Sequence, residues 1–243
     1  MIGRARERQE LEAALTADEA QLIAVCGRRR VGKTYLVRES FQGKFFFEHA
    51  GVMRGTMAEQ LAEFGDSLRR AGLKDVVELK GWREAFNELE RLISGDRRKG
   101  KKVLFIDEMP WMDTPKSGFL KAFEVFWNGW CSGRKDVVFV ICGSATSWIV
   151  KKVFQNKGGL YNRTTGRIFL EPFTLSECRK LVESKGIELG DDDLAEAYMI
   201  FGGVPYYWAQ LAKGLSFAQN IDRLCFSRTG KLRHEFDELY ASL

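Results

Sequence analysis

Histidine is scarce in this sequence: 243 residues contain two, His49 and His234, far apart in the chain. None of the five cysteines (Cys26, Cys131, Cys142, Cys178 and Cys225) falls in a CxxC pair. Without a Cys/His cluster there is no pattern for a zinc site. The odd, dispersed cysteines read as reduced thiols rather than a disulfide framework, with Cys26 and Cys142 ending apolar runs as small core residues. No apolar stretch reaches membrane-spanning length, and the N-terminus, Met1-Ile-Gly-Arg-Ala-Arg-Glu-Arg, holds no apolar signal segment. The expected location is therefore the cytoplasm, with no membrane contact. Nor is there a large excess of one charge. Lys plus Arg number 38 against 33 Asp plus Glu, for a net +5. Such a balance permits an anionic partner without demanding one. Internal repeats and low-complexity segments are absent.

What the chain has is core material: 45% hydrophobic residues and 18 phenylalanines. Short apolar runs at 21–26, 44–49, 103–106, 137–142 and 167–170 read as strands. Helical periodicity falls between them, at 5–16, 33–41, 56–71, 82–94 and 119–130. Met57, Leu61, Phe64 and Leu68 share one helix face, and Trp82, Phe86, Leu89 and Ile93 share another. This alternation predicts an α/β fold: a five-stranded parallel sheet between helices. After Pro172 strand signals stop. Helices are expected at 174–185, 191–201, 204–213, 216–225 and 230–240, with Thr174 and Asp191 as N-caps of the first two. The expected organisation is a core over 1–172 and a small helical lid over 173–243.

Two motifs carry chemistry. Gly27-Arg-Arg-Arg-Val-Gly32-Lys33-Thr34 matches G-x-x-x-x-G-K-[ST] in full, with a strand before it and a helix after it. Glycines let the backbone curl so that its N–H groups point at phosphate oxygens, and the following helix adds its positive dipole end. Gly27, Arg28, Arg29, Arg30, Val31, Gly32, Lys33, Thr34 and Tyr35 are the predicted nucleotide-binding set. Lys33 would reach the β- and γ-phosphates, and Thr34 would offer its hydroxyl to Mg²⁺. The three arginines fill the variable positions, suited either to a γ-phosphate or neighbouring subunit, or to solvated loop charge.

Downstream, Val103-Leu-Phe-Ile-Asp107-Glu108 is an apolar strand ending in two acids. Asp107 would hold the magnesium shell, usually through water. Glu108 would orient and deprotonate an attacking water. Asp107-Glu-Met-Pro110 is not the DxxG of GTPases, and Asn156-Lys-Gly-Gly159 lacks the final Asp that reads guanine. An adenine nucleotide, ATP or ADP with Mg²⁺, is the best fit. Ser144, after the fourth strand, is the candidate sensor of γ-phosphate or water, and equally an ordinary strand-end serine. Arg163, then Arg167, are candidates for a finger acting in trans on another subunit's ATP; both also suit a surface role. The chain would then be a homo-oligomer.

Together with Cys142-Gly-Ser, Leu160-Tyr-Asn-Arg163, Glu171-Pro-Phe-Thr-Leu and Phe201-Gly-Gly-Val-Pro-Tyr-Tyr207, these motifs resemble the prokaryotic "archaeal ATPase" family. That family belongs to the AAA+/STAND branch of P-loop NTPases. The resemblance covers nearly the whole chain. It implies that Ile2-Gly3-Arg4-x-x-Glu7 lies near the adenine and that Gly202-Gly203-Val204-Pro205 closes over the base, with Arg4 and Pro205 as the positions carried over. It also places His49 near where relatives couple ligand to the catalytic Glu. Relatives continue into a winged-helix and a nuclease-like domain, whereas this sequence stops at Leu243, about where the winged helix would begin.

Three functions fit. The first is an ATP-hydrolysing switch. The second is an ATP/ADP-gated binding module with negligible turnover, acting on an unknown protein partner. The third is a DNA-associated ATPase using Arg69-Arg70, Arg97–Lys102 and Lys151-Lys152, though no nucleic-acid motif is present. Trp111, Phe123, Trp127 and Trp130 are either partner-facing or core.

Overall fold

The computed structural model describes residues 1–155 and 159–235. Its strands are β1 (Gln21–Gly27), β2 (Phe47–Ala50), β3 (Lys102–Asp107), β4 (Val137–Gly143) and β5 (Gly166–Leu170). They form one five-stranded parallel sheet in the order β2-β3-β4-β1-β5. The helices between them are α1 (Ala5–Ala13), α2 (Lys33–Ser40), α3 (Met57–Arg70), α4 (Trp82–Gly95), α5 (Phe119–Gly129) and α6 (Thr146–Ile149). Helices α7 (Leu175–Glu183), α8 (Asp191–Phe201), α9 (Pro205–Trp208) and α10 (Phe217–Ile221) follow the last strand.

Burial explains the near-continuous apolar runs of the central strands. Every residue of β4 is buried, as are Leu22 to Cys26 of β1 and Val103 to Ile106 of β3, as a parallel sheet covered on both faces requires. The edge strand β2 instead alternates buried and exposed residues. Leu61, Phe64 and Leu68 of α3 and Trp82, Phe86, Leu89 and Ile93 of α4 are buried in one cluster with Phe119, Phe123 and Phe126 of α5 and Phe139 of β4. Phe86 and Phe126 stack at 5.2 Å, and Trp82 meets Phe119 edge-on at 4.8 Å. Phe64, Phe86, Phe119, Phe123, Phe126 and Phe139 thus form one interlocking aromatic layer.

The chain divides into two compact units. One comprises Ala5–Cys26 and Thr34–Phe169, and holds most of the sheet. The other comprises Met1–Arg4, Gly27–Lys33 and the chain from Leu170 onward. The second unit has its own core, in which Phe173, Val182, Leu194, Phe201, Trp208, Leu211 and Leu224 are buried together.

Most elements lie within a few residues of their expected positions. Four departures are local. The helix expected at 204–213 is a single turn, α9, because the buried Asn220 takes over the backbone: its side chain bonds both the N–H and the C=O of Ala212. The helix expected at 216–225 starts at Ser216 with a reciprocal capping box to Gln219, then widens into a π turn over Asp222–Phe226. Asp191 is the first helical residue of α8 rather than its cap, which is Gly190; Thr174 does cap α7, with Glu177 completing the box. A helical segment over 146–154, part of it a π turn, carries no expectation at all. Of the helix expected at 230–240, residues 236–240 lie outside the described residues, as do 156–158 of the Asn156–Gly159 tetrapeptide.

Candidate functional site

In the unit that contains residues 27–33, the end of β1 turns sharply. Gly27 has φ 155°, and a Cβ there would lie 2.6 Å from the carbonyl oxygen of Leu170, so only glycine fits. Gly32 has φ 97°. Arg30 takes the left-handed conformation at φ 67°, a strain on the order of 1 kcal/mol for a side chain with a Cβ. Val31 is buried. Lys33 is only 5% exposed, and its Nζ donates to the carbonyls of Gly27 (3.0 Å) and Arg28 (3.2 Å). The ammonium is therefore folded over the loop that precedes it. Arg28 and Tyr35 are exposed, while Arg29 is half-buried.

The other unit assembles the acids. Thr34 Oγ1 donates to Asp107 Oδ2 at 2.6 Å, and Asp107 Oδ1 accepts from the backbone N–H of Glu108 at 3.0 Å. A hydroxyl and a carboxylate that close offer oxygen donors of the kind a hard cation takes. Among the described residues no three His, Cys, Asp or Glu side chains converge to cage a metal. The oxygen pair suits a magnesium ion that keeps waters and binds with substrate phosphates, which needs no such cage.

Glu108 leaves the strand in the left-handed conformation, φ 45° and ψ 44°. Its carboxylate Oε2 accepts two hydrogen bonds from Ser144, one from the backbone N–H and one from Oγ, each 2.9 Å. Two glycines make room for this turn. A Cβ on Gly51 would sit 2.5 Å from the Glu108 carbonyl oxygen, and one on Gly143 would sit 2.7 Å from the Pro110 ring. Parallel pairing sets Cys26 opposite Gly143 and Ile106 opposite Ile141, so the carboxyl ends of β1, β3 and β4 adjoin. That edge of an open parallel sheet is where ligand crevices form. Gly51 escaped the sequence reading; a lone glycine just past a strand was its signal.

The remaining candidates are dispersed. His49 is buried, and its Nδ1 bonds Ser67 Oγ at 2.9 Å rather than Glu108. Arg163 is exposed. Arg167 is exposed too, but its guanidinium lies over Phe154 and its Nε donates to Thr164. Arg4 donates to the Glu171 carbonyl and stacks on Phe173. Pro205 is the first residue of α9. Phe123 and Trp127 are core; Trp111 and Trp130 are half-buried. Part of the basic run at 97–102 is neutralised internally. Lys102 pairs with Asp136 at 2.8 Å and Arg98 with Asp96 at 2.7 Å. No helix among the described residues is long and apolar enough to cross a membrane.

A family model described as an ATPase domain predominantly from Archaea matches residues 1–211. An uncharacterized protein of Methanocaldococcus jannaschii is 26% identical over 245 residues, covering 98% of this chain and 49% of its own length. The chain thus spans about half the length of that curated relative. Solved structures share the fold, two of them as follows. A Walker-type ATPase of Pyrococcus abyssi superposes with TM-score 0.66 at 18% identity, over 99% of this chain and 76% of its own. A signal transduction ATPase with numerous domains from Pyrococcus horikoshii, which carries a tetratricopeptide repeat sensor, gives 0.55 at 14%, over 100% and 32%.

Proposed function

Because the chain belongs to the family of ATPase domains found predominantly in Archaea, we propose that it binds ATP with Mg²⁺ and hydrolyses it slowly, as a nucleotide-driven switch in the cytoplasm. The observation that carries this reading is the paired arrangement at the strand ends. Thr34 is bonded to Asp107, and Glu108 is bonded to Ser144.

Each residue has a task its chemistry suits. Backbone N–H groups of 27–33 cradle the phosphates, and Lys33, with three N–H donors and two of them on loop carbonyls, has a third for a phosphate oxygen. Thr34 and Asp107 would hold the magnesium ion, which would neutralise charge on the β- and γ-phosphates when bound. Glu108 takes the proton of the attacking water. Ser144 fixes the Glu108 carboxylate through two donors, so the base is oriented before substrate arrives; this gives Ser144 a positioning role beside its expected one as sensor. Arg4 and Pro205 serve the base end of the nucleotide. The core over 1–172 performs the chemistry, and the lid over 173–243 transmits it.

Two substitutions test the reading. Glu108→Gln keeps the shape and the bonds from Ser144 but removes the base. ATP binding should persist while turnover falls by a factor on the order of 100 or more. Lys33→Ala should abolish binding itself, measured with a fluorescent ATP analogue. Parental hydrolysis in Glu108→Gln would remove Glu108 from the base role. Unchanged binding in Lys33→Ala would remove the loop from nucleotide recognition.

A further inference from the structure

The last of the three loop arginines has a natural partner in phosphate, yet Arg30 already faces a carboxylate. Its guanidinium is ion-paired with Glu235, and both side chains are largely shielded, at 17% and 12% exposure. The other oxygen of Glu235 accepts a hydrogen bond from the Tyr207 hydroxyl at 2.6 Å. Arg30 also lies over the ring of Tyr206, 4.5 Å from its centroid. All four residues belong to the same compact unit. Burial pushes the Tyr207 phenol above its ordinary pKa, against the pull of the Arg30, Arg28 and Arg29 charges nearby. Tyr207 therefore remains a donor to Glu235 at neutral pH.

This cluster ties the loop to a specific place in the fold. Tyr206 and Tyr207 sit in α9, which starts at Pro205 directly after Gly202 and Gly203. Gly203 is locked to Phe173: its carbonyl accepts the Phe173 N–H at 2.6 Å. Trp208 Nε1 donates to the Gly202 carbonyl at 2.7 Å. The turn that leads into the two tyrosines is thus held by two hydrogen bonds, and the Arg30–Glu235 pair is the charged link from this segment to the loop.

We propose that Glu235 is a positioning residue for Arg30, and that nucleotide phosphate and the Glu235 carboxylate compete for the Arg30 guanidinium. A shielded guanidinium cannot satisfy two anions in different places equally well, and charge-assisted bonds in such surroundings are strong. A triphosphate presents more charge to the loop than a diphosphate and competes better. Loading the loop with ATP then loosens Glu235 and residues 230–234 before it, while ADP leaves the link closer to its original state. The loop's affinity and the mobility of the chain near residue 235 become two readouts of one exchange.

The proposal rests on the nucleotide-binding reading, so its test has one arm without nucleotide. Hydrogen exchange of the full chain is followed in peptides covering residues 230–235. Without nucleotide, Glu235→Gln should speed exchange there relative to the parent, and Glu235→Asp should restore part of the protection. In the parent, ATP–Mg²⁺ should speed exchange in the same peptides, and ADP should do so less. In Glu235→Gln, ATP should have no further effect. A fluorescent ATP analogue should bind Glu235→Gln about three- to tenfold more tightly than the parent, because the competing anion is gone. Tyr207→Phe should shift affinity in the same direction by less. Unaltered exchange in nucleotide-free Glu235→Gln overturns the pairing, whatever nucleotide does. Unaltered or weaker analogue binding by Glu235→Gln, with the parent binding normally, overturns the competition. Failure of the parent itself to bind would count against the nucleotide reading instead, and leaves the first arm decisive for the pair.

Discussion

His49 shows how a single side chain's bonds can be counted into a prediction. Ser67 Oγ donates its one hydrogen to the Glu63 carbonyl, at 3.0 Å. It must therefore accept from His49, which places the ring proton on Nδ1 and leaves Nε2 bare. Arg70 also donates to that Ser67 oxygen. Burial, and secondarily the Arg70 charge, lower the His49 pKa from 6.5 to about 4. The sign follows from proton uptake. Between those two values the unfolded chain binds a proton that the folded chain refuses, so stability falls as pH drops. The loss should reach about 3 kcal/mol by pH 4 and level off below it. Denaturant unfolding of the parent and of His49→Gln across pH 4 to 7 checks this. The variant should lose that part of the slope, and an identical slope in both would show that His49 is not its source. By contrast, the placement of the acids at 107 and 108 was legible from sequence, because a four-residue apolar run ends at them and β3 ends there too. The partner of His49 was not, since Ser67 lies 18 residues away, a polar side chain buried beside the apolar stripe of α3 that apolar spacing does not mark.

At the scale of elements, periodicity located the sheet and its covering helices because burial there repeats regularly. It failed after Val204, where side chains rather than helix bonds satisfy the backbone. Asn220 bonded to Ala212 is invisible to a pattern of apolar spacing. Glu235 was likewise illegible, since its partner Arg30 is some two hundred residues earlier in the chain. The Gly202-Gly203 pair, by contrast, was visible but for half the reason. Gly202 adopts φ 56° and ψ −160°, a backbone conformation open almost only to glycine. Gly203 is needed for space: a methyl there would run into the Phe173 carbonyl. The two alanine substitutions should therefore differ. Gly202→Ala should cost about 1 to 3 kcal/mol through the backbone alone. Gly203→Ala should cost at least as much and also displace Phe173, an effect visible as exposure of the second core to a hydrophobic dye. Equal effects without dye binding would mean that α7 and α9 yield easily to the added methyl.

For the molecule as a whole, the open question is whether one chain completes a catalytic centre. The four residues paired at the strand ends would supply metal donors, a base and its support, and Lys33 one cation toward the phosphates; a second cation, for the charge that develops on the transferred phosphoryl group, has no assignment among them. Arg163 is exposed, so its guanidinium is available to a second copy. Arg167 is already stacked on Phe154, which makes it the weaker candidate. If Arg163 acts in trans, ATP–Mg²⁺ should draw the chain into a larger species in sizing experiments, and Arg163→Ala should lose turnover while still binding ATP. The sharper expectation comes from mixing. Arg163→Ala retains Glu108, and Glu108→Gln retains Arg163, so each inactive variant lacks what the other keeps. Where the two meet head to tail, one intact centre forms from two defective chains. Recovery of hydrolysis on mixing, at concentrations where the larger species is seen, is the expected result. A chain that stays monomeric with ATP–Mg²⁺, and shows no recovery on mixing, would return Arg163 to the surface charges and require the missing cation to come from within the same chain, where Arg28, Arg29 and Arg30 of the loop stand next in line.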